Sequence, residues 1–301
     1  MKPVLKNALI GYTMILLSAI GFGSYGIWYR TIGTSFQLFS QGWVRSCIIL
    51  MILVPIAFFT KKLKPIKKED IKYLLIPLSF SVFTIAPVFY AFNHMDIGTG
   101  TLVFYASFLI TTYLVGILLF NEKISYVKKV SLILAFAGLF LVFDVSLEKF
   151  SVIALILAAI NGIASGGEVS TTKKVTCIYS SLQISIFIWL ATLITHLPVS
   201  LILGEKVPSL SLGLPWFYMI LFSIIALASF WLVVEGFKHV DASVGGLIGL
   251  SEVIFAIIFG MLIFKESISI TIIFGGILIL ISGMLPDIML LYKKSSLRWF
   301  R

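Results

Sequence analysis

Two short blocks carry side chains of the kind that do chemistry. Phe92-Asn93-His94-Met95-Asp96 in the first half of the chain recurs as Phe237-Lys238-His239-Val240-Asp241 in the second. A His two residues from an Asp could serve as an acid–base pair or as two metal ligands. Each block is followed by a long apolar stretch closing on Phe-x-Glu, at Phe120-Asn121-Glu122 and again at Phe264-Lys265-Glu266. Both then run through Ile-Ser (Ile124-Ser125 and Ile268-Ser269) into another apolar stretch. The doubling is an internal repeat, and a repeat sets the architecture before any local motif does. The plainer reading of the blocks is a tight turn in which Asp96 and Asp241 cap the helix that follows.

A second group of residues stands out because each is charged or polar within an apolar segment. Arg45 lies well inside one such segment and Glu252 inside another. A charge at the centre of a bilayer costs about 2.5–3.5 kcal/mol on insertion scales, so such residues face a protein interior or a wet cavity. Glu252 suits a functional role, either holding a proton during transport or gripping a substrate amine. Arg45 suits a structural ion pair. The repeat mate of Glu252 is Ser107, so the two halves differ at this point. Glu168 and Glu235 lie near segment ends and could pair with Lys173 and Lys238 as gate residues. His196, near Pro198, reads as a loop-facing group.

The elements that must position these groups are read from composition. Of 301 residues 59% are hydrophobic and only 12% charged; a soluble domain carries about 25% charged residues. The chain is therefore expected to be an all-α polytopic membrane protein. Crossing a hydrocarbon core needs about 20 apolar residues. Ten segments qualify, near 8–29, 36–59, 71–93, 97–120, 128–144, 151–171, 179–203, 215–237, 241–264 and 269–288. They fall as five plus five, giving a first repeat at 1–146 and a second at 147–301 with a short basic tail. Five spans per half means that the halves enter the membrane in opposite senses, the inverted repeat of many secondary transporters.

Charge supports the count. With both termini cytoplasmic, all but five of the 23 Lys and Arg face the cytoplasm. The exceptions are Arg30, Lys149, Lys206 and Lys265 in outer segments and Arg45 within a span. That asymmetry obeys the positive-inside rule. The net charge of +10 is then explained by anionic lipid headgroups, with no nucleic-acid partner. The apolar run at the N-terminus is too long for a signal peptide and reads as a retained first span. Cys47 and Cys177 read as two buried thiols, with no disulfide or metal framework.

Gly21-Phe22-Gly23-Ser24-Tyr25-Gly26 matches a dinucleotide-binding fingerprint by letter, but it lies within a span and lacks the strand that the fingerprint requires. Small residues there, and at Gly162, Ala164, Ser165, Gly166 and Gly167 in the sixth segment, suit close helix packing in lipid. No cofactor is expected.

The segment endings Leu119-Phe120-Asn121-Glu122 and Ile263-Phe264-Lys265-Glu266, the Glu252-Val253 pair, Phe108 and Trp43-Val44-Arg45 together resemble the drug/metabolite transporter superfamily, specifically its EamA type. In that family a Gly precedes the closing Glu and a Pro commonly follows the Glu at 252; this chain has neither. The resemblance implies transport of small metabolites, often export of amino acids or related solutes. It also implies a cavity lined by spans 1, 3, 4, 6, 8 and 9, with span 2 peripheral. On that basis Tyr25, Tyr90, Tyr105, Asn161, Trp231, Ser251 and Glu252 form the expected substrate pocket, an aromatic cage with one anion that suits an amino-bearing solute through cation–π contact. Arg45, Glu168 and Glu235 are the expected gating or ion-pair residues.

The sequence-level reading is thus a secondary transporter of the cytoplasmic membrane, moving a small organic solute by alternating access, with proton coupling or facilitated exchange. A carrier that flips a lipid-linked group is the alternative. A membrane enzyme fits poorly, because the three histidines are scattered.

Overall fold

In a membrane no water is present to satisfy backbone N–H and C=O groups, so long apolar runs must form helices. A computed structural model describes residues 3–32, 35–95, 97–143, 151–209, 213–265 and 269–299, and among them there is no strand. The helices are α1 (Pro3–Gly23), α2 (Tyr25–Ile32), α3 (Leu38–Thr60), α4 (Ile71–Ser81), α5 (Ala86–His94), α6 (Ile97–Phe120) and α7 (Tyr126–Val142), then α8 (Val152–Thr176), α9 (Ser181–Ile202), α10 (Leu214–Phe237), α11 (Ala242–Gly249), α12 (Ser251–Phe264) and α13 (Ile270–Trp299). Among the described residues eight helical stretches, from Asn7–Tyr29 to Ala242–Phe264, are long and apolar enough to cross a membrane, and Ile270–Pro286 is a shorter apolar helix. Helix α7 has 17 residues. The tail expected after residue 288 continues α13 without a break as far as Trp299.

Side chains are distributed as a lipid-facing bundle requires. Phe58, Phe59 and Ile202 are more than 70% exposed on the outside, while Ser46, Ser131, Thr112, Ser223 and Ser282 are wholly buried. Most of these inner hydroxyls bond back to a carbonyl of their own helix, as Ser46 does to Gly42.

The largest packing partnerships join the two halves of the chain: α6 with α8, α7 with α13, α3 with α9, and α1 with α10 and α12. Exchanging the halves of the repeat maps each of these pairs onto a pair that also packs. The α6–α8 pair becomes α12–α1, the α1–α10 pair becomes α8 with α4 and α5, and α3–α9 and α7–α13 each map to themselves. The α7–α13 contact shows the same reciprocity at atomic scale. A Cβ on Gly138 would lie 2.7 Å from the Gly275 carbonyl oxygen, and one on Gly275 would lie 2.6 Å from that of Gly138. Each backbone rests on the other where any side chain would part them.

Three of the apolar stretches are interrupted. The α1–α2 break falls at Ser24, whose Oγ donates to the Gly21 carbonyl at 2.6 Å. The α4–α5 break covers residues 82–85 and the α11–α12 break falls at Leu250. Ser24 and Leu250 still bond back to the Ile20 and Gly246 carbonyls and are kinks, whereas residues 82–85 lie outside any helix, which at such depth is tolerated only where backbone is buried in protein or lines a cavity.

Candidate functional site

The three breaks meet at a cavity of about 480 Å³. Ser18, Gly23, Tyr25 and Tyr29 line it from α1 and α2, Thr84 and Ile85 from the α4–α5 break, and Gly249 and Glu252 from either side of the α11–α12 break. Helix α6 adds Tyr105 and Phe108, α8 adds Asn161 and Glu168, α9 adds Trp189 and Thr192, and α3 adds Arg45. Both halves of the chain therefore build one chamber with an aromatic wall.

Its polar groups are held in different ways. Asn161 Nδ2 donates to the carbonyls of Thr84 at 2.8 Å and Phe83 at 3.2 Å. It thereby satisfies two acceptors that the α4–α5 break frees. Glu252 stands in the first turn of α12, where a carboxylate complements the helix dipole, and the Tyr105 hydroxyl donates toward it. Glu168 is 6% exposed and has no ion-pair partner among the described residues. Tyr25 packs edge-on against Phe22, Tyr29 and Phe222, with ring centroids 4.8–5.9 Å apart.

A second polar cluster ties the halves together at one end of the bundle. The Glu122 carboxylate, at the end of α6, accepts from the Ala242 N–H at 2.6 Å and from the Ser243 hydroxyl at 2.6 Å, which caps α11. Lys128 Nζ lies 3.3 Å from Glu122 and 2.8 Å from Asp241. Lys173 Nζ lies 3.9 Å from Glu122 and donates to the Val240 carbonyl. Glu122 reaches this position through a left-handed turn at Asn121, φ 51°; its repeat mate Lys265 has φ 54°. These are the two positions where the resembling family carries Gly, so the geometry persists although the residue does not. At the other end of the bundle Glu205 does for α3 what Glu122 does for α11, accepting from the Phe39 and Ser40 N–H groups at 3.0 and 2.6 Å.

The model of the EamA-like transporter family matches the chain twice, at residues 9–144 and 152–285. The chain belongs to that family. A protein of Helicobacter pylori (strain J99) named as an uncharacterized transporter is 25% identical over 159 residues, which cover 52% of this chain and 53% of that one. The chain thus spans about half the length of that curated relative in the match. A solved structure described only as the crystal structure of a protein superposes with a TM-score of 0.75 at 15% identity, over 94% of this chain and 97% of that one. That is a likeness of fold.

In this EamA-like transporter Tyr25, Tyr105, Asn161 and Glu252 line the cavity, while Tyr90, Trp231 and Ser251 do not. Trp231 is 40% exposed on the outer surface; it follows Phe230, which lines the cavity, and one residue turns a helix by about 100°. Ser251 is displaced from Glu252 in the same way, and its Oγ bonds the Ile248 carbonyl at 2.7 Å. Tyr90 stacks on His94 at 4.0 Å and packs against Ala91, Met95, Ala154 and Ala158.

The gating residues also separate. Glu235 pairs with Lys238 at 2.7 Å and accepts from Ser181, away from the cavity. Glu168 does not pair with Lys173, which is held by Glu122; it faces the cavity instead. Arg45 forms no ion pair among the described residues. It lies seven residues into α3, about 10 Å by helical rise, and so is shallower than a segment midpoint. Its guanidinium sits over Phe222 at 4.7 Å and Trp189 at 5.7 Å.

The remaining polar expectations are settled locally. Asp241 makes no cap; it holds Lys128 while Glu122 caps α11. Asp96 and Glu266 lie outside the described residues. His196 is buried, 1% exposed, against Gly42 of α3 rather than facing a loop. Cys177 is exposed and Cys47 half-buried, and both are free thiols. Tyr29, Trp189 and Thr192 were not foreseen as lining residues. The Tyr25–Tyr29 spacing of one helical turn was a usable signal for the first; α9 offered none.

Proposed function

We propose that this EamA-like transporter is a ten-span secondary carrier with both termini cytoplasmic, and that it exports a small amino-bearing solute with an aromatic or apolar body across the cytoplasmic membrane. The observation that carries this reading is the chamber built from three interrupted spans of both halves, with carboxylates and aromatic rings facing one space. Interrupted helices meeting at mid-depth are how many secondary transporters form their solute sites. In this reading the repeats 1–146 and 147–301 rock against each other about the chamber. Glu252 takes the solute amine, Tyr25 and Tyr105 face its apolar body, and Glu168 is the free carboxylate available to a coupling proton. The Glu122 cluster closes the cytoplasmic end and must open for exchange.

Two measurements test it. Purified protein in proteoliposomes is expected to take up labelled tyramine or phenylalanine saturably; absence of saturable uptake across a panel of such aromatic amines would sink the reading. For orientation, single cysteines near Lys64 and near Lys206 in a cysteine-free chain are labelled from outside the cell with an impermeant maleimide. The Lys206 site is expected to react and the Lys64 site to stay protected; equal labelling refutes the topology.

A further inference from the structure

The segment between α3 and α4 takes no part in the chamber, yet it is held firmly. Residues 62–67 form no helix. The Lys64 N–H donates to the Gln183 side-chain oxygen at 3.0 Å, and the Lys64 carbonyl accepts from Gln183 Nε2 at 2.7 Å. The Ser180 hydroxyl donates to the Lys62 carbonyl at 3.2 Å. The Tyr179 hydroxyl accepts from the Lys67 N–H at 3.2 Å and donates to Asp70 at 2.8 Å. This strap is therefore fastened across the turn that joins α8 to α9. Ordering a loop costs conformational entropy, which here is offset by partners from the other half of the chain.

The surface that the strap presents is basic and apolar at once. Six lysines fall between residues 61 and 72. The two acids of that stretch do little to balance them. Asp70 is buried against Tyr179, and Glu69 only approaches Lys67 at 3.9 Å, with both side chains exposed. Lys72 of α4 and Lys174 of α8 place their ammonium nitrogens 4.9 and 4.3 Å from the centre of the same ring, that of Tyr73. Neither has a carboxylate partner among the described residues. Two cations gathered on one ring repel each other, and an anion that meets both removes that cost. Among the lysines Leu63 and Ile66 are exposed, as is Phe59 in the last turn of α3. A soluble phosphate would leave these apolar side chains in water. A phospholipid meets both demands, its phosphate with the ammoniums and its acyl chains with the apolar side chains.

We infer that this end of the bundle binds an anionic phospholipid, with the headgroup phosphate at Lys72, Tyr73 and Lys174 and the acyl chains along Leu63 and Ile66. In the orientation proposed above the lipid belongs to the cytoplasmic leaflet. Such a site does not depend on the solute that the chamber takes. It differs from a general attraction of lysines to a charged surface: one pair of lysines from two helices carries it, and other basic residues cannot make good their loss. Lys173, beside Lys174, pairs with Glu122 and donates to the Val240 carbonyl, so the lipid holds the same helix end that joins the two halves of the chain.

The test is native mass spectrometry of the detergent-purified full chain, titrated with dioleoyl phosphatidylglycerol, dioleoyl phosphatidylcholine or glycerol 3-phosphate. Wild type is expected to retain one phosphatidylglycerol about tenfold or more tightly than phosphatidylcholine, as two lysines near one anionic headgroup imply. Lys72→Gln combined with Lys174→Gln is expected to lose that preference while retaining phosphatidylcholine as wild type does, which shows that the variant is folded. Lys293→Gln with Lys294→Gln removes the same charge from the last turns of α13 and is expected to keep the preference. Leu63→Ser with Ile66→Ser is expected to weaken both lipids several-fold. Equal retention of the two lipids by wild type would overturn the inference. So would a preference that survives the loss of Lys72 and Lys174, a loss of both lipids alike in that variant, an equal effect of the Lys293 and Lys294 changes, or lipid binding unchanged by Leu63→Ser with Ile66→Ser. Glycerol 3-phosphate binding as tightly as phosphatidylglycerol would mark a site for a soluble phosphate and overturn it too.

Discussion

Glu252→Gln is expected to weaken uptake of an aromatic amine such as tyramine by roughly 30-fold or more, seen chiefly as a raised KM. Removing one member of a desolvated charge pair costs about 2–5 kcal/mol, and about 1.4 kcal/mol corresponds to a factor of ten. The site explains why the loss is large. Glu252 sits at a helix break, faces an apolar-walled chamber and has Tyr105 directed toward it. No second carboxylate occupies the symmetry-related position: Ser107, its repeat mate, bonds the Val103 carbonyl of its own helix at 2.8 Å. Glutamine keeps the volume and can still accept from Tyr105, so folding should be unaffected. Glu252→Asp should fall between the two, since it keeps the charge and shortens the reach. The measurement is initial uptake rate against solute concentration in proteoliposomes. Unchanged kinetics in Glu252→Gln would remove Glu252 from both amine binding and proton coupling.

The largest stability effect is expected at Glu122. Glu122→Ala should destabilise the protein by about 2–4 kcal/mol, because it removes a helix cap, worth about 1 kcal/mol, and leaves buried donors unsatisfied, at about 1–3 kcal/mol. Its carboxyl caps α11 and faces both Lys128 and Lys173, and the Lys128 side chain is only 9% exposed. Deleting Glu122 leaves Lys128 with Asp241 alone and Lys173 with the Val240 carbonyl, and it frees the Ala242 and Ser243 N–H groups at once. Glu122→Gln should cost less, because an amide oxygen can still accept from the Ala242 N–H. Combining Glu122→Ala with Lys128→Met should be milder than the sum of the single changes, because both remove the same Glu122–Lys128 contact. Unfolding in mixed micelles gives the comparison, and a Glu122→Ala change smaller than about 0.5 kcal/mol, the range of an ordinary surface substitution, would show that the cluster does not hold the halves together.

What could be read from the sequence was what depends on spacing and bulk chemistry. Apolar length marked the helices, and the repeated Phe-x-Glu marked a shared turn that the structure shows as a left-handed residue at Asn121 and at Lys265. Glu252 and Tyr105 were legible because a polar tip deep in an apolar segment has few places to go. The helix breaks were not read: Pro87 in the first turn of α5 was a usable signal for the first, since it cannot bond back to the Phe83 carbonyl and Asn161 takes that acceptor instead, whereas Leu250 has no proline beside it. Facing was also hidden within segments that are apolar on all sides. Periodicity cannot tell Phe230, which lines the cavity, from Trp231, which meets the outside. Arg45 was misread for a related reason. A lone cation in a segment suggests an ion pair, and only the packing of Phe222 and Trp189 reveals one held by aromatic faces instead. The Phe-x-His-x-Asp block, so suggestive of doubled chemistry, holds a stacked His94 in one copy and a lysine-bound Asp241 in the other.

The central claim is that one chamber shared by the two halves is exposed to each side of the membrane in turn. Counterflow tests it most directly. Proteoliposomes are preloaded with unlabelled phenylalanine or tyramine, diluted into a trace of the same labelled solute, and compared with empty vesicles. Alternating access predicts a transient accumulation of label in the preloaded vesicles only, saturable in the solute and lost in Glu252→Gln. Label that enters preloaded and empty vesicles at the same rate, rising linearly with concentration and unchanged in Glu252→Gln, would contradict the account.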